Sequence, residues 1–139
     1  MREILFRGKR IDTGEWIEGL LLKLKDEEYG EIYAIVSVNC ESYRFGISGD
    51  YVITDTIGQY TGLEDKNGVK IFEGDIVSFE RVNALGYTTK RTGDVRYYDK
   101  LPIFYIMATT GDAWDWCCCD NITVIGNIHD NPELLEVTP

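Results

Sequence analysis

Short runs of β-branched and aromatic residues recur along the whole chain, each cut off by glycine, asparagine or aspartate. The runs fall at 3–7, 16–23, 32–38, 51–54, 76–79, 93–98, 103–108 and 122–128. Ile, Val, Tyr, Phe and Thr fit a pleated, half-buried surface, so each run reads as a strand. No segment carries apolar residues at i, i+3, i+4 and i+7 over three turns, the spacing an amphipathic helix needs. One short helical turn is predicted near the C-terminus, with Asn131 as N-cap, Pro132 at the first position and Glu133-Leu134-Leu135-Glu136 following. The pattern predicts an all-β chain whose strand spacing suits a small barrel or roll.

The turn residues carry most of the local information. Asp65-Lys66-Asn67-Gly68 separates two strand-like stretches, and Asn-Gly predicts a type I′ hairpin with positive φ at both central residues. Gly-Asp pairs stand at 49–50, 74–75, 93–94 and 111–112. Paired carboxylates or a cation site would be the functional reading. Turn chemistry is the preferred one, because glycine supplies positive φ and aspartate bonds its own backbone. Asp65 and Asn67 match the first ligands of a calcium loop, but Gly68 arrives too early and no glutamate stands at the twelfth position.

With 139 residues, the chain is one ordinary domain or two very small ones. A chain of this size buries roughly 68% of its unfolded surface, enough for a core without metals or disulfides. No apolar run approaches the ~20 residues that span a bilayer, and the start reads as no signal peptide. Membrane and secreted classes are therefore disfavoured, and a cytoplasmic location is expected. The formal charge is −10, unevenly spread: residues 26–65 hold −8 and residues 101–139 hold −6, while the two remaining stretches hold +2 each. Net acidity argues against a sequence-independent grip on a nucleic-acid backbone. It reads as a solubility device, or more sharply as an acidic surface offered to a basic protein.

Enzyme motifs are missing. There is no P-loop, no Gly-x-Gly-x-x-Gly and no Gly-x-Ser-x-Gly elbow. Carboxylates are numerous enough for a two-carboxylate glycosidase, but a barrel this small leaves little room for its cleft. Cys40, Cys117, Cys118 and Cys119 lack metal-ligand spacing. On a strand, Cys117 and Cys119 would share one face and Cys118 the other, so all read as ordinary buried thiols of a reducing compartment. His129, the only histidine, reads as a solvated loop residue. No catalytic residue, metal or cofactor is expected, and the chain is not read as an enzyme.

Two aromatic groups have a functional alternative. Trp114 and Trp116, with Asp112 and Asp115 between and beside them, would place both rings on one side of a strand. They either close the core or anchor a protein partner, tryptophan being enriched at binding hot spots. Lys90, Arg91, Arg96, Tyr97 and Lys100 interleave charge with rings, as single-stranded nucleic acid requires. Sheet packing explains the same pattern without a ligand.

Three blocks resemble a known family. They are Arg2-Glu3-Ile4-Leu5-Phe6-Arg7-Gly8-Lys9 with Gly14-Glu15-Trp16; Thr56-Ile57-Gly58-Gln59-Tyr60-Thr61-Gly62-Leu63 running on through Asp65-Lys66-Asn67-Gly68 to Ile71-Phe72-Glu73-Gly74-Asp75-Ile76-Val77; and Val124-Ile125-Gly126-Asn127-Ile128-His129-Asp130-Asn131-Pro132-Glu133-Leu134-Leu135. In order and spacing they resemble the YopX-like proteins of phages and prophages. The resemblance implies a small cytoplasmic β protein encoded by a phage or an integrated prophage. It implies an N-terminal β segment at 1–55 and an SH3-like barrel at 56–139, or one compact unit. The barrel would start at Gly74-Asp75-Ile76-Val77 and close with 124–128. The resemblance carries no biochemical activity and no ligand residues.

The resulting expectation is a non-enzymatic phage accessory protein that binds a host or phage protein. Its contact surface would be the loops around 40–50, 83–90 and 109–120, with the acidic 26–31 loop as a second candidate. A nucleic-acid module using the basic-aromatic residues is the alternative, and pairing of an open sheet edge with a second copy is a further expectation.

Overall fold

The computed structural model describes residues 1–41 and 44–136, and the side chains among them outside 37–48. The chain is all-β and antiparallel, and it divides into two units, Met1–Tyr60 and Thr61–Pro139.

The first unit is a meander. Strands β1 (Phe6–Lys9), β2 (Trp16–Asp26), β3 (Gly30–Glu41) and β4 (Arg44–Tyr51) pair in sequence order, and the start of β5 (Gly58–Glu64) pairs with β1 on the other side. The β2–β3 turn is held by Asp26, whose Oδ1 accepts from the Glu28 and Tyr29 amides at 2.8 and 2.9 Å. Ala34, Ile35, Val36, Val52 and Tyr60 are buried. Gly19 is needed where β2 meets β3, because a Cβ there would collide with the Val36 carbonyl oxygen. Leu20, Leu22 and Leu24 alternate along β2 and remain exposed.

The strand predicted at 51–54 is displaced. It ends at Tyr51 as the last residue of β4, and Thr54–Thr56 forms a 3-10 turn. Thr56 fixes that turn: its hydroxyl donates to the Ile53 carbonyl at 2.6 Å and accepts the Lys9 amide at 2.9 Å.

The second unit contains the end of β5, β6 (Lys70–Phe72), β7 (Asp75–Val82), β8 (Thr88–Tyr98), β9 (Ile103–Ala108), β10 (Ala113–Trp114) and β11 (Asp120–Asn127). The last five form a sheet of order β10-β9-β8-β7-β11. Its core is Ile71, Val77, Phe79, Val95, Ile106, Ala108 and Cys119, with Trp114, Trp116, Ile122 and Val124 packed against it. The expected closure by 124–128 is replaced by an open sheet, in which β11 pairs with β7 and β10 forms the other edge. Strand β10 is cut to two residues by the Gly111 turn before it and a 3-10 turn at Trp116–Cys118 after it, so it offers no ladder for closure.

The turn at 65–68 is a hairpin of a different type from the predicted one. Gly68 has φ +80° and Asn67 is not at positive φ, as in a type I turn followed by a left-handed glycine. Asp65 fixes it, accepting the Asn67 and Val69 amides at 2.8 and 3.0 Å. Asn83 does the same at 83–87, accepting the Leu85 and Tyr87 amides at 2.9 and 3.0 Å with Gly86 at φ +82°.

Turn chemistry holds for two Gly-Asp pairs in this unit. Gly74 and Gly111 sit at φ +89° and +90°, and buried Asp75 accepts the Phe72 amide at 2.8 Å. Gly93-Asp94 instead lies inside β8, where a Cβ on Gly93 would meet the Met107 carbonyl oxygen at 2.5 Å. Gly49-Asp50 likewise lies within β4. The predicted C-terminal turn is a 3-10 helix at Pro132–Leu135. Asn131 precedes it, but its side chain does not cap it: Oδ1 turns back to accept the Asn127 amide at 3.3 Å.

Candidate functional site

Strands β8 and β9 have two faces, and their register decides what each carries. Val95 opposite Ile106 and Gly93 opposite Ala108 point into the core. The alternate pairs, Asp94 with Met107, Arg96 with Tyr105 and Tyr98 with Ile103, therefore stand on the outer face. Beside them β10 pairs Ala113 with Met107. The outer face forms a groove of about 430 Å³ lined by Tyr98, Leu101, Ile103, Tyr105 and Met107, with Ala113, Trp114 and Asp115 along the β10 side. Tyr98 and Tyr105 meet edge to face, ring centroids 6.4 Å apart. Leu101 and Ile103 are 56% and 42% exposed, so apolar surface is open to solvent here. Asp115 is the one charged side chain in the lining.

The rigidity of this face comes from its neighbours. Asp94, buried, holds Arg96 through contacts of 2.6 and 3.2 Å from Nε and Nη2. That hydrogen bond raises the pKa of Arg96, against an opposing effect of burial. Trp114 is half-buried and packs on the core, with the Arg81 guanidinium 3.9 Å from its ring centroid and that of Arg91 at 5.9 Å. Arg91 also donates to the Thr110 hydroxyl at 2.9 Å, and that hydroxyl bonds Asp112. The Thr110 bond lowers the pKa of Asp112 despite partial desolvation, and Arg91 adds to the effect. The indole N–H of Trp116 donates to the Phe104 carbonyl at 2.9 Å. Both tryptophans thus serve the core, and Trp114 additionally shows an edge to the groove.

The predicted basic-aromatic residues are not brought together. Lys90 and Arg96 are on one face of β8, Arg91 and Tyr97 on the other, and Lys100 lies in the turn beyond. Tyr97 packs on Phe104, centroids 5.2 Å apart, rather than on the Tyr98–Tyr105 side. Of the loops expected as a contact surface, only 109–120 borders this groove, through Ala113, Trp114 and Asp115, and the side chains of 37–48, Cys40 included, lie outside the described residues.

The predicted alternation of the three adjacent cysteines is also replaced. Residues 116–118 form a 3-10 turn instead of a strand, so Cys117 and Cys118 are both exposed and only Cys119 is buried. Burial pushes the Cys119 thiol up to about 11, with Cys118 and Cys117 adding to it. His129 is half-buried in the 127–131 turn, where the Asn127 side chain accepts its amide at 3.0 Å.

Sequence reasoning missed Tyr98, Leu101, Ile103, Tyr105 and Met107 as one surface. The signal was the period-2 spacing of Ile103, Tyr105 and Met107, which marks a second apolar face on a strand whose first face is already core. A second groove of about 410 Å³ lies in the first unit, lined by Ile11, Tyr29, Ile32, Tyr33 and Tyr51 with Asp26 and Glu31.

These features define a small antiparallel β protein with an apolar, aromatic-lined groove on the outer face of a sheet. No described helix is long and apolar enough to cross a membrane. The chain belongs to the YopX family: the model of the YopX protein family matches residues 5–136, nearly its whole length. The crystal structure of protein EF1440 from Enterococcus faecalis is similar to it, with 28% sequence identity and a TM-score of 0.61 over 98% of this chain and 100% of that one. No curated protein matches the chain.

Proposed function

We propose that the protein is a non-enzymatic binding module whose β8–β9 groove takes an extended segment of another protein, apolar in character and carrying one lysine or arginine. The observation that carries this reading is the chemistry of the groove lining. Exposed apolar and aromatic surface on a fixed sheet gives affinity for an extended chain, and Asp115 at its edge gives a preference for a cation. The charge distribution supports the same partner, because residues 101–139 hold six acidic side chains and no lysine or arginine. We read the second unit as SH3-like in type, an architecture suited to aromatic-lined peptide grooves, and the protein as a phage or prophage accessory factor acting in the cytoplasm of a bacterial host. Membership of the YopX family supports the accessory role.

The nucleic-acid alternative has less support. Asp94 already engages Arg96, and Arg91 is on the core side of β8 beside Trp114.

The test is selection of the full chain against a random peptide display library, in parallel with Ile103→Glu. Enrichment of extended apolar sequences carrying a basic residue, lost with Ile103→Glu, is the expected result. Equal enrichment by both proteins, or no enrichment together with a concentration-dependent dimer mass, overturns the reading in favour of another surface or of self-association.

A further inference from the structure

Cys117 and Cys118 are consecutive, both exposed, and carried on the 3-10 turn that follows β10. A strand would send consecutive side chains to opposite faces, whereas a 3-10 turn rotates about a third of a circle per residue. The two sulfurs consequently stand on one side, 3.8 Å apart. Two sulfurs held about 2.3 Å from one ion at a tetrahedral angle are about 3.8 Å from each other. The pair therefore has the bite of a thiolate chelate before any ion arrives.

A disulfide fits less well. It needs Cα atoms about 4.4 Å apart or more, and consecutive Cα atoms are about 3.8 Å apart. Closing it would also pull on the turn's own bonds, from the Cys118 amide to the Asp115 carbonyl at 3.0 Å and from the Cys119 amide to the Trp116 carbonyl at 3.1 Å.

We propose that Cys117 and Cys118 form a bidentate thiolate site for a soft divalent cation of the zinc class. Binding exchanges the two thiol protons for one ion, with no change of oxidation state. The two thiolates supply two positions of the tetrahedral ion, and water or a small thiol supplies the other two. The site does not depend on the groove being a binding surface.

Cadmium is the probe, because thiolate coordination gives it an ultraviolet charge-transfer band. The reduced full-length protein is titrated with Cd²⁺, then with Zn²⁺ as competitor. One Cd²⁺ per chain, displaced by Zn²⁺, is expected. Cys117→Ser and Cys118→Ser each weaken binding by about 100-fold or more, at least the cost of losing a mere outer-shell partner. Cys119→Ser leaves it intact. Both exposed serine variants are checked for an unchanged far-ultraviolet spectrum. No band, a band that survives Cys117→Ser or Cys118→Ser, or one lost in a folded Cys119→Ser overturns the proposal.

Discussion

The Asp65 carboxylate accepts the Val124 amide at 2.9 Å and so ties the 65–68 hairpin to strand β11 across 59 positions of sequence. Its other oxygen accepts two amides of its own turn, those of Asn67 and Val69. Burial pushes the pKa of Asp65 up, but these three N–H groups outweigh it and leave the carboxyl below its ordinary value. The stabilisation is fully present above the ordinary aspartate range near 3.9 and is lost as pH falls through the lower folded value. Asp65→Ala removes the buried acceptor of three partly buried amides and is expected to cost about 2 kcal/mol. Denaturant melts from pH 6 to pH 2 check both points: the variant is less stable throughout the upper range, and its deficit shrinks at the acid end.

Gly93 and Gly126 are close-approach positions. A Cβ on Gly93 would meet the Met107 carbonyl oxygen at 2.5 Å, and one on Gly126 would meet Asn131 Oδ1 at 2.6 Å. Gly93→Ala forces backbone apart inside the core sheet and is expected to cost about 2–3 kcal/mol, in the range of overpacking. Gly126→Ala faces a side chain that can move, so it should cost less. Paired urea titrations rank the two, and an equal or inverted order would speak against this packing.

Trp114 and Trp116 both pack on the core, so their removal tests stability before it tests binding. Each alanine substitution is expected to cost about 3 kcal/mol, near the lower end for buried aromatics. Arg81→Met keeps a long apolar stem over the Trp114 ring and should cost under about 1 kcal/mol, the scale of an exposed cation–π contact. Thermal melts of the three single variants distinguish these costs.

Thiol chemistry separates the cysteines. Cys119 is buried with its thiol pushed up to about 11, while Cys117 and Cys118 are exposed. Iodoacetamide at pH 8 is expected to label Cys117 and Cys118 in the folded protein and to reach Cys119 only after unfolding. Peptide mapping by mass spectrometry reads each site separately. Early labelling of Cys119 would show that the turn does not shield it.

Much of the architecture is legible in the residues. The run at 103–108 is strand β9 to the residue, and the runs in β2, β3, β7, β8 and β11 find their strands with shifted ends. What escapes has physical causes. Strand β4 contains Gly46, Ser48 and Gly49, which read locally as a loop; pairing with β3 overrides that preference. The turn at 116–118 is hidden because three cysteines have no strong local preference, and Trp116 is fixed by a bond to Phe104, twelve residues away. The groove is hidden for a similar reason. Tyr98 and Tyr105 meet only through the β8–β9 register, which no local pattern specifies. Trp114 and Asp115 are visible in the sequence as candidates, and Leu101, Ile103 and Met107 are not.

Weak dependence on salt is expected of any interaction with nucleic acid. A phosphate-binding face loses affinity steeply between 50 and 200 mM salt, about 10³-fold or more for six contacts. Lys90 and Arg96 are on a different face of β8 from Arg91, so no such set is assembled. Fluorescence anisotropy with single-stranded DNA over that salt range should show weak binding and a shallow slope.

The most direct measurement is a map of backbone amide shifts in the full chain as a display-selected basic-apolar peptide is added. Shifts concentrated at 98–107 and 113–115, and reduced by Asp115→Lys, are the predicted result. Shifts centred instead on 11, 29–33 and 51, or an affinity unchanged by Asp115→Lys, would contradict a binding groove on β8 and β9.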